Sequence, residues 1–216
     1  YATSPACVAG MKYSLNIPNQ ITLARLALAI IFFVVLSQYS QRTSPAWQLD
    51  VAAAVFIVAA GSDFIDGYLA RKWKMVTPLG RVLDPMVDKV LICGAFILFL
   101  APGFVDADGR NVTEMRGWMV VVIVGRELLV TGLRGFNESQ GRAFGASLHG
   151  KVKMWIQSFA APTILLLVAH EQSVMSASAA TTVKLVIVWL TVLVTALSML
   201  QYLARSRHIL EESAAA

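Results

Sequence analysis

The amino-acid sequence predicts an all-α integral membrane protein with six transmembrane helices. Of its 216 residues, 57% are hydrophobic and 14% are charged, which fits a membrane protein better than a soluble domain. Each apolar stretch is close to the roughly 20 residues that a helix needs to cross about 30 Å of hydrocarbon. Apolar and polar residues do not alternate along the chain, so we expect no β-sheet.

The six apolar segments are separated by short polar connections. The third is apolar only from Val87 onwards, because its first turns hold Gly80, Asp84 and Asp88. Counted from Leu79, it is long enough to span. The sixth is the longest without interruption. Their approximate bounds are Ile21–Tyr39, Trp47–Ala70, Leu79–Ala101, Arg116–Phe136, Val152–Ala169 and Thr182–Ala204.

Neither a low-complexity linker nor an internal repeat divides the chain, so we expect one transmembrane domain over residues 11–210. Residues 1–10 lack the basic and apolar regions of a signal peptide and precede Met11. We interpret them as an upstream or artificially added segment. Residues 211–216 are expected to form a C-terminal tail.

The distribution of basic residues predicts the orientation in the membrane. Lysines and arginines concentrate in the connections around residues 71–81 and 134–153 and near the two ends of the chain. The other three connections hold few basic residues and are partly acidic. By the positive-inside rule, both termini and the connection beside the aspartates face the cytoplasm.

Four aspartates lie within or beside these apolar segments. Asp63 and Asp66 are three residues apart near the end of the second, and Asp84 and Asp88 are four apart at the start of the third. An ionised carboxylate in a membrane helix costs at least a few kcal/mol, which is roughly the value that membrane-insertion measurements give. Four carboxylates around one site would repel each other unless cations lie between them. The pattern therefore predicts a divalent-metal site at the membrane surface.

Helical spacing places Asp63, Asp66, Gly67 and Ala70 on one face of the second segment. Small residues beside the carboxylates would let a ligand or a neighbouring helix approach the backbone. If the second and third segments pack antiparallel, all four carboxylates converge, and oxygen ligands favour magnesium or manganese over zinc. Taken alone, an Asp-x-x-Asp pair at a helix end could equally be an ordinary polar helix end.

Basic residues on later segments fit a phosphorylated ligand. Two carboxylate-bridged metals usually hold a diphosphate, and Arg71, Arg126, Arg134, Lys151 and Lys153 could bind further phosphate. Two other interpretations remain open from the residues alone. Arg126 could form a structural pair with its neighbour Glu127, and Arg134 and the two lysines could be interface anchors whose side chains reach towards water.

One long pattern with fixed spacing resembles the signature of the CDP-alcohol phosphatidyltransferase family. It reads Asp63-x-x-Asp66-Gly67-x-x-Ala70-Arg71, eight further residues, then Gly80-x-x-x-Asp84-x-x-x-Asp88. Further motifs resemble the phosphatidylglycerophosphate synthase branch of that family, over roughly Asn16 to Arg205. These are Asn16-Ile17-Pro18-Asn19-Gln20-Ile21-Thr22 with Arg25, Gly125-Arg126-Glu127, Thr131-Gly132-Leu133-Arg134, Gly150-Lys151-Val152-Lys153 and Ser198-Met199-Leu200-Gln201-Tyr202-Leu203.

The resemblance implies a CDP-alcohol phosphotransferase fold and a metal-dependent transferase of phospholipid biosynthesis. The implied reaction converts CDP-diacylglycerol and sn-glycerol 3-phosphate to phosphatidylglycerol phosphate and CMP. The implied location is the bacterial inner (plasma) membrane, crossed several times, with the active site on the cytoplasmic side. Membrane lipids and a homodimeric partner are implied as well, and no nucleic-acid partner is expected.

The resemblance also implies roles for individual residues. Two Mg²⁺ or Mn²⁺ ions would be held by Asp63, Asp66, Asp84 and Asp88, and Asp88 would also be the general base. The CDP-diacylglycerol site would comprise Asn19, Thr22, Gly67, Ala70, Arg71, Thr77 and Gly80. The phosphate of glycerol 3-phosphate would be bound by Arg126, Arg134, Lys151 and Lys153.

Alternatives follow from where the sequence departs from, or falls short of, the pattern. Met154 stands where the branch usually has threonine, and His149 is unusual; both departures fall beside the predicted acceptor-site lysines and not at the aspartates. An inositol phosphate or serine acceptor would use the same aspartates. A membrane prenyltransferase would place its two aspartate motifs far apart in a larger bundle. An ion-coupled carrier would place its charges near mid-bilayer.

Overall fold

The protein's structure is a computed structural model that describes the backbone of residues 17–73, 78–139, 148–174 and 176–214. Within these ranges, side chains are described for residues 20–62, 86–135, 153–171, 173 and 176–204. All structural statements below refer to these parts of the chain.

The described chain is helical, and the predicted all-α class with six long helices is confirmed. A short helix, α6, covers Glu171–Val174, a 3₁₀ turn covers Pro102–Phe104, and the described backbone contains no named strand. The six long helices are α1 (Ile17–Ser37), α2 (Ala46–Trp73), α3 (Pro78–Leu98), α4 (Gly117–Ser139), α5 (Leu148–Ala169) and α7 (Ala177–Ala214).

Helix ends follow local chemistry as well as hydropathy. The described part of the first helix begins at Ile17, directly before Pro18. The last helix continues past the apolar segment, which ends at Ala204, as far as Ala214. Its final turns are polar, and a helix can continue into water where it no longer needs an apolar face.

Two helices are long and apolar enough to cross a membrane by length and composition. Within the described residues these are Gln20–Ser37, with a mean hydropathy of 2.1, and Ala177–Ala204, with 2.3. Ala46–Ser62 and Lys153–Ala169 are shorter apolar helices. Large apolar side chains also point outwards along the bundle, as Leu128 does with 67% of its surface exposed. A large apolar exterior is typical of a surface that contacts lipid or another protein.

The helices pack around a core rich in phenylalanine. The first helix packs on α2 and α3, α2 also contacts α5, and α7 covers α4 and α5. The rings of Phe32 and Phe56 meet edge to face with centroids 5.4 Å apart, and those of Phe96 and Phe99 meet at 5.8 Å. The contact between Phe32 on α1 and Phe56 on α2 stabilises this helix pair beyond the area that it buries.

The connection from Phe99 to Arg116 closes one end of the bundle, which we call the loop end. Gly103 packs so closely that a Cβ there would lie 1.9 Å from the carbonyl oxygen of Tyr39. The Gly103 carbonyl accepts a 2.7 Å hydrogen bond from the Gln41 N–H, and the Asn111 amide donates to the Phe99 carbonyl at 2.7 Å. We call the opposite end, where α3 and α5 begin and α4 ends, the aspartate end.

Candidate functional site

The two aspartate pairs lie on consecutive helices that contact each other. Asp63 and Asp66 belong to the last turns of α2, which ends at Trp73, and Asp84 and Asp88 belong to the first turns of α3, which begins at Pro78. The side chain of Asp88 is described, whereas those of Asp63, Asp66 and Asp84 lie outside the described residues. The convergence of all four carboxylates therefore stays a prediction.

Several other predicted site residues also lie outside the described side chains. They belong to the predicted CDP-diacylglycerol site, the predicted acceptor site and the position before Gly150. The residues are Asn19, Gly67, Ala70, Arg71, Thr77, Gly80, Lys151 and His149. Thr22, also predicted to contact CDP, is described, and it is buried on α1 one turn before Arg25.

Asp88 is held by an arginine from the first helix. Arg25 is fully buried, and its Nη1 donates to Asp88 Oδ1 at 2.9 Å. Its Nε donates to Ser62 Oγ at 3.1 Å, and Ser62 Oγ in turn donates to the Ala59 carbonyl at 2.7 Å. One guanidinium thus joins α1, α2 and α3 directly beside Asp63. The planar fork of arginine suits this double contact better than the single ammonium of lysine would.

A second cluster joins α4 to α5. The Glu127 carboxylate is buried, and its Oε1 accepts hydrogen bonds from Arg126 Nη1 at 3.2 Å and from Lys153 Nζ. Arg126 and Lys153 are themselves 5% and 3% exposed. Such burial contradicts the interpretation of Lys153 as an interface anchor reaching towards water. The interpretation of Arg126 and Glu127 as a pair is confirmed, but Lys153 shares the same carboxylate.

Side chains of the last helix, α7, accept hydrogen bonds from Arg126 and Arg134. Arg126 Nη2 donates to Ser198 Oγ at 2.7 Å, and Arg134 Nη2 donates to the Tyr202 hydroxyl at 2.5 Å. The ring of Tyr202 lies 5.5 Å from Arg126 Cζ and 5.4 Å from Arg134 Cζ, both measured to the ring centroid. Among the described residues, the buried Nε atoms of both arginines have no hydrogen-bond partner.

These groups surround a cavity of about 180 Å³, and Asp88 is part of its wall. Among its described lining residues, four carry a positive charge and two carry a carboxylate, which leaves an excess of two positive charges. The wall also includes Met154, so the departure from the family pattern falls on the cavity itself. The charged lining residues are Lys89, Arg126, Arg134, Lys153, Asp88 and Glu127.

The cavity brings together three of the four predicted acceptor-site cations, and the structure adds residues to which the sequence analysis assigned no place in the site. Lys89 lines the wall, Glu127 is the shared counter-ion, and Ser198 and Tyr202 anchor the arginines. The sequence does mark Arg25, because a charged residue inside an apolar segment indicates a buried polar contact or a functional site. Ser198 and Tyr202 belong to a motif that resembles the family branch, but their contacts join residues about seventy positions apart, and the motif does not indicate those contacts.

The donor chemistry at Asp88 fits a hard divalent cation. The Asp88 side chain is 27% exposed and lines the cavity, and carboxylate oxygens are the ligands that magnesium and manganese prefer. The neighbouring Lys89 and Arg25 place the carboxylate in a cationic environment, which also suits an anionic group in the cavity.

Comparison with known proteins assigns the chain to a family. Residues 15–208 match the family model described as CDP-alcohol phosphatidyltransferase. A protein from Bacillus subtilis (strain 168) is 37% identical over 159 residues, which cover 70% of this chain and 77% of the relative. A protein from Rickettsia bellii is 35% identical, covering 72% of this chain and 78% of its own. A protein from Sodalis glossinidius is 29% identical and covers 92% and 98%.

This chain belongs to the CDP-alcohol phosphatidyltransferase family, as the aspartate signature predicts. The family is membrane-embedded and generally depends on divalent metals, and its members are phosphotransferases. All three relatives carry the name CDP-diacylglycerol–glycerol-3-phosphate 3-phosphatidyltransferase. The predicted likeness to the phosphatidylglycerophosphate synthase branch is therefore confirmed.

Proposed function

We propose that the protein transfers a phosphatidyl group from CDP-diacylglycerol to sn-glycerol 3-phosphate, giving phosphatidylglycerol phosphate and CMP. The observation that carries this proposal is the cavity beside Asp88, whose described lining has an excess of two positive charges. A phosphate dianion would balance that excess. The names of the relatives support glycerol 3-phosphate as the acceptor and phospholipid biosynthesis as the context.

In this proposal, the cationic side of the cavity binds the acceptor phosphate. Arg126, Arg134 and Lys153 are within or beside the cavity wall, and Lys151 is expected to join them. Guanidinium groups pair with phosphate oxygens through two parallel hydrogen bonds, and lysine adds a point charge. Glu127 accepts hydrogen bonds from both Arg126 and Lys153, and its negative charge reduces the repulsion between the two cations.

Asp88 is proposed as the general base. The acceptor hydroxyl gives its proton to the carboxylate while its oxygen forms a bond to the β-phosphorus of CDP-diacylglycerol. The bond between that phosphorus and the bridging oxygen breaks in line, and CMP leaves with the electron pair. Arg25 holds Asp88 Oδ1 at 2.9 Å and thereby keeps the carboxylate on the cavity side of α3.

Two Mg²⁺ or Mn²⁺ ions held by Asp63, Asp66, Asp84 and Asp88 would neutralise the diphosphate and stabilise the departing CMP. Asn19, Thr22, Gly67, Ala70, Arg71, Thr77 and Gly80 are proposed to contact the CDP moiety. The burial of Thr22 one turn from Arg25 supports its position near the same site.

We propose that all six long helices cross the bacterial plasma membrane, with both termini and the aspartate end on the cytoplasmic side. The concentration of basic residues at the aspartate end supports this orientation. The single transmembrane domain of residues 11–210 and the homodimer also remain predictions. Light scattering of the purified protein in detergent tests the dimer.

An inositol phosphate acceptor would satisfy the same charge balance, whereas serine would leave the cationic wall without a phosphate. Names of the relatives favour glycerol 3-phosphate over both. Membership of the family does not favour a prenyltransferase or an ion-coupled carrier.

An acceptor panel tests the proposal. The purified protein in detergent receives labelled CDP-diacylglycerol and, in parallel, glycerol 3-phosphate, inositol phosphate or serine, with Mg²⁺, with Mn²⁺ or with a chelator. We expect metal-dependent CMP release with glycerol 3-phosphate and little with the others. Fastest release with inositol phosphate would reassign the acceptor, and release that ignores the chelator would contradict the metal site.

A further inference from the structure

Tyr202 lies against two guanidinium groups at once. Its ring centroid is 5.5 Å from Arg126 Cζ and 5.4 Å from Arg134 Cζ, and the side chain is buried. Arg126 and Arg134 are eight residues apart on α4, which corresponds to about 12 Å along the axis at the rise of an α-helix. A single ring from α7 therefore contacts both ends of a two-turn stretch of α4.

The two arginines donate to two different hydroxyl groups of α7. The Tyr202 hydroxyl accepts from Arg134 Nη2, while Ser198, one turn earlier on α7, accepts from Arg126 Nη2 at 2.7 Å. Residues four apart on a helix share a face, so one face of α7 sets the position of both guanidinium groups. A tyrosine has only two side-chain torsions, and a buried aromatic ring gives a rigid platform for a cation.

Both arginines retain hydrogen-bonding capacity that the described protein groups do not use. Their Nε atoms are buried without a partner among the described residues, although both side chains line the cavity. A buried donor left unpaired is unfavourable and rare in native structures. The two arginines are thus fixed on the side of α7 while their side chains line the cavity, as expected of groups arranged for a ligand.

We propose that Tyr202, together with Ser198, is a positioning residue that aims Arg126 and Arg134 at one acceptor phosphate. This inference rests on the proposed function, because it assumes that the cavity beside Asp88 binds a phosphorylated acceptor. The inference gives α7 a part in acceptor specificity, although α7 carries none of the site residues that the sequence analysis assigned. A purely structural Tyr202 would instead fill space between α4 and α7.

Three substitutions separate these roles when the Michaelis constants for glycerol 3-phosphate and CDP-diacylglycerol are measured independently. Tyr202→Phe keeps the ring and removes the contact to Arg134, and Ser198→Ala removes the contact to Arg126. Each should raise the KM for glycerol 3-phosphate about fivefold, the effect of one lost hydrogen bond. Tyr202→Leu removes the ring and should raise it about thirtyfold. The KM for CDP-diacylglycerol should stay within about twofold.

The matched control is Leu200→Ala, on the same helix but 62% exposed on the outer surface. It should change neither constant. Equal rises of both Michaelis constants, or no change in correctly folded variants, would overturn the inference. If Tyr202→Leu fails to fold, the Michaelis constants of Tyr202→Phe and Ser198→Ala still test the inference.

Failure of the proposed function gives a different result. A wild-type protein that releases no CMP with glycerol 3-phosphate would overturn the reaction but not the anion site. Calorimetric binding of inorganic phosphate would then test the inference by itself. Weaker binding in Tyr202→Leu than in Leu200→Ala supports it, and equal binding in the two variants overturns it.

Discussion

Two lysines buried in this bundle have opposite surroundings. At the aspartate end, Lys153 shares one carboxylate oxygen of Glu127 with Arg126, and the group lines a cavity. At the loop end, Lys184 donates to the Val112 carbonyl at 2.8 Å and to Glu171 Oε2 at 3.2 Å. Each lysine side chain is at most 4% exposed.

The difference lies in the balance of charge and hydrogen bonds. Lys184 pairs with one carboxylate and one carbonyl, so its charge is balanced within the protein. Lys153 and Arg126 have one carboxylate between them, and Arg126 keeps a buried N–H without a described partner. Burying an unbalanced charge is costly. Surplus cations beside a cavity therefore indicate a ligand, whereas a balanced pair indicates structure.

The largest effect should come from removing the proposed base while keeping its shape. Asp88→Asn should lower kcat by about a thousandfold, since general-base catalysis contributes on this scale, while CDP-lipid binding persists. Asp50→Asn is the matched control, because Asp50 faces His170 at the loop end. It should leave kcat within about twofold. Steady-state CMP release measures both, and an active Asp88→Asn variant would remove Asp88 from its role.

Exchanging the two buried lysines for methionine sharpens the comparison directly. Lys153→Met should raise the KM for glycerol 3-phosphate by about a hundredfold, because a charge-assisted contact to the phosphate is lost. Lys184→Met should leave that KM unchanged and lower the unfolding midpoint by about 5 °C, because a buried partner is lost. Kinetics and thermal unfolding are measured on both. A raised KM in Lys184→Met together with an unchanged KM in Lys153→Met would contradict the distinction between the two ends.

A smaller effect is expected at Arg25, which holds Asp88 through a hydrogen bond. In Arg25→Lys, one ammonium cannot reproduce the double contact with Ser62 and Asp88. We expect kcat to fall about tenfold, from misplacement of the base, with the KM for glycerol 3-phosphate within about twofold. A rise in that KM with unchanged kcat would connect Arg25 to acceptor binding instead.

The smallest effect should follow His170→Gln at the loop end. His170 Nε2 and Asp50 Oδ1 are 2.8 Å apart, but the two side chains are 40% and 37% exposed. Polar contacts between side chains with this much exposure contribute about 0–1 kcal/mol. The unfolding midpoint should therefore move by at most about 3 °C, with unchanged kinetics. A loss of activity would show that the loop end is coupled to the site.

Much of the fold could be predicted from the sequence, because helix length and hydropathy are local properties. Six long helices follow from the six apolar segments, and the signature that ends at Asp88 indicates the family. Polar helix continuation, as in α7 beyond Ala204, is invisible to hydropathy.

Contacts between distant helices could not be predicted in the same way. The sequence leaves open that Lys153 is an interface anchor, whereas in the structure Lys153 is buried and donates to Glu127 on another helix. Likewise, the roles of Ser198 and Tyr202 depend on how α7 packs against α4. Such packing is set by the whole bundle, and no spacing rule within one segment contains it.

The most direct test of the central claim compares glycerol 3-phosphate with glycerol as acceptors for CMP release from CDP-diacylglycerol. The two differ only in the phosphate that the surplus cations beside Asp88 are proposed to bind. We expect kcat/KM to be higher for glycerol 3-phosphate by about a thousandfold or more, as for a buried charged contact. Equal values for the two acceptors would contradict the account.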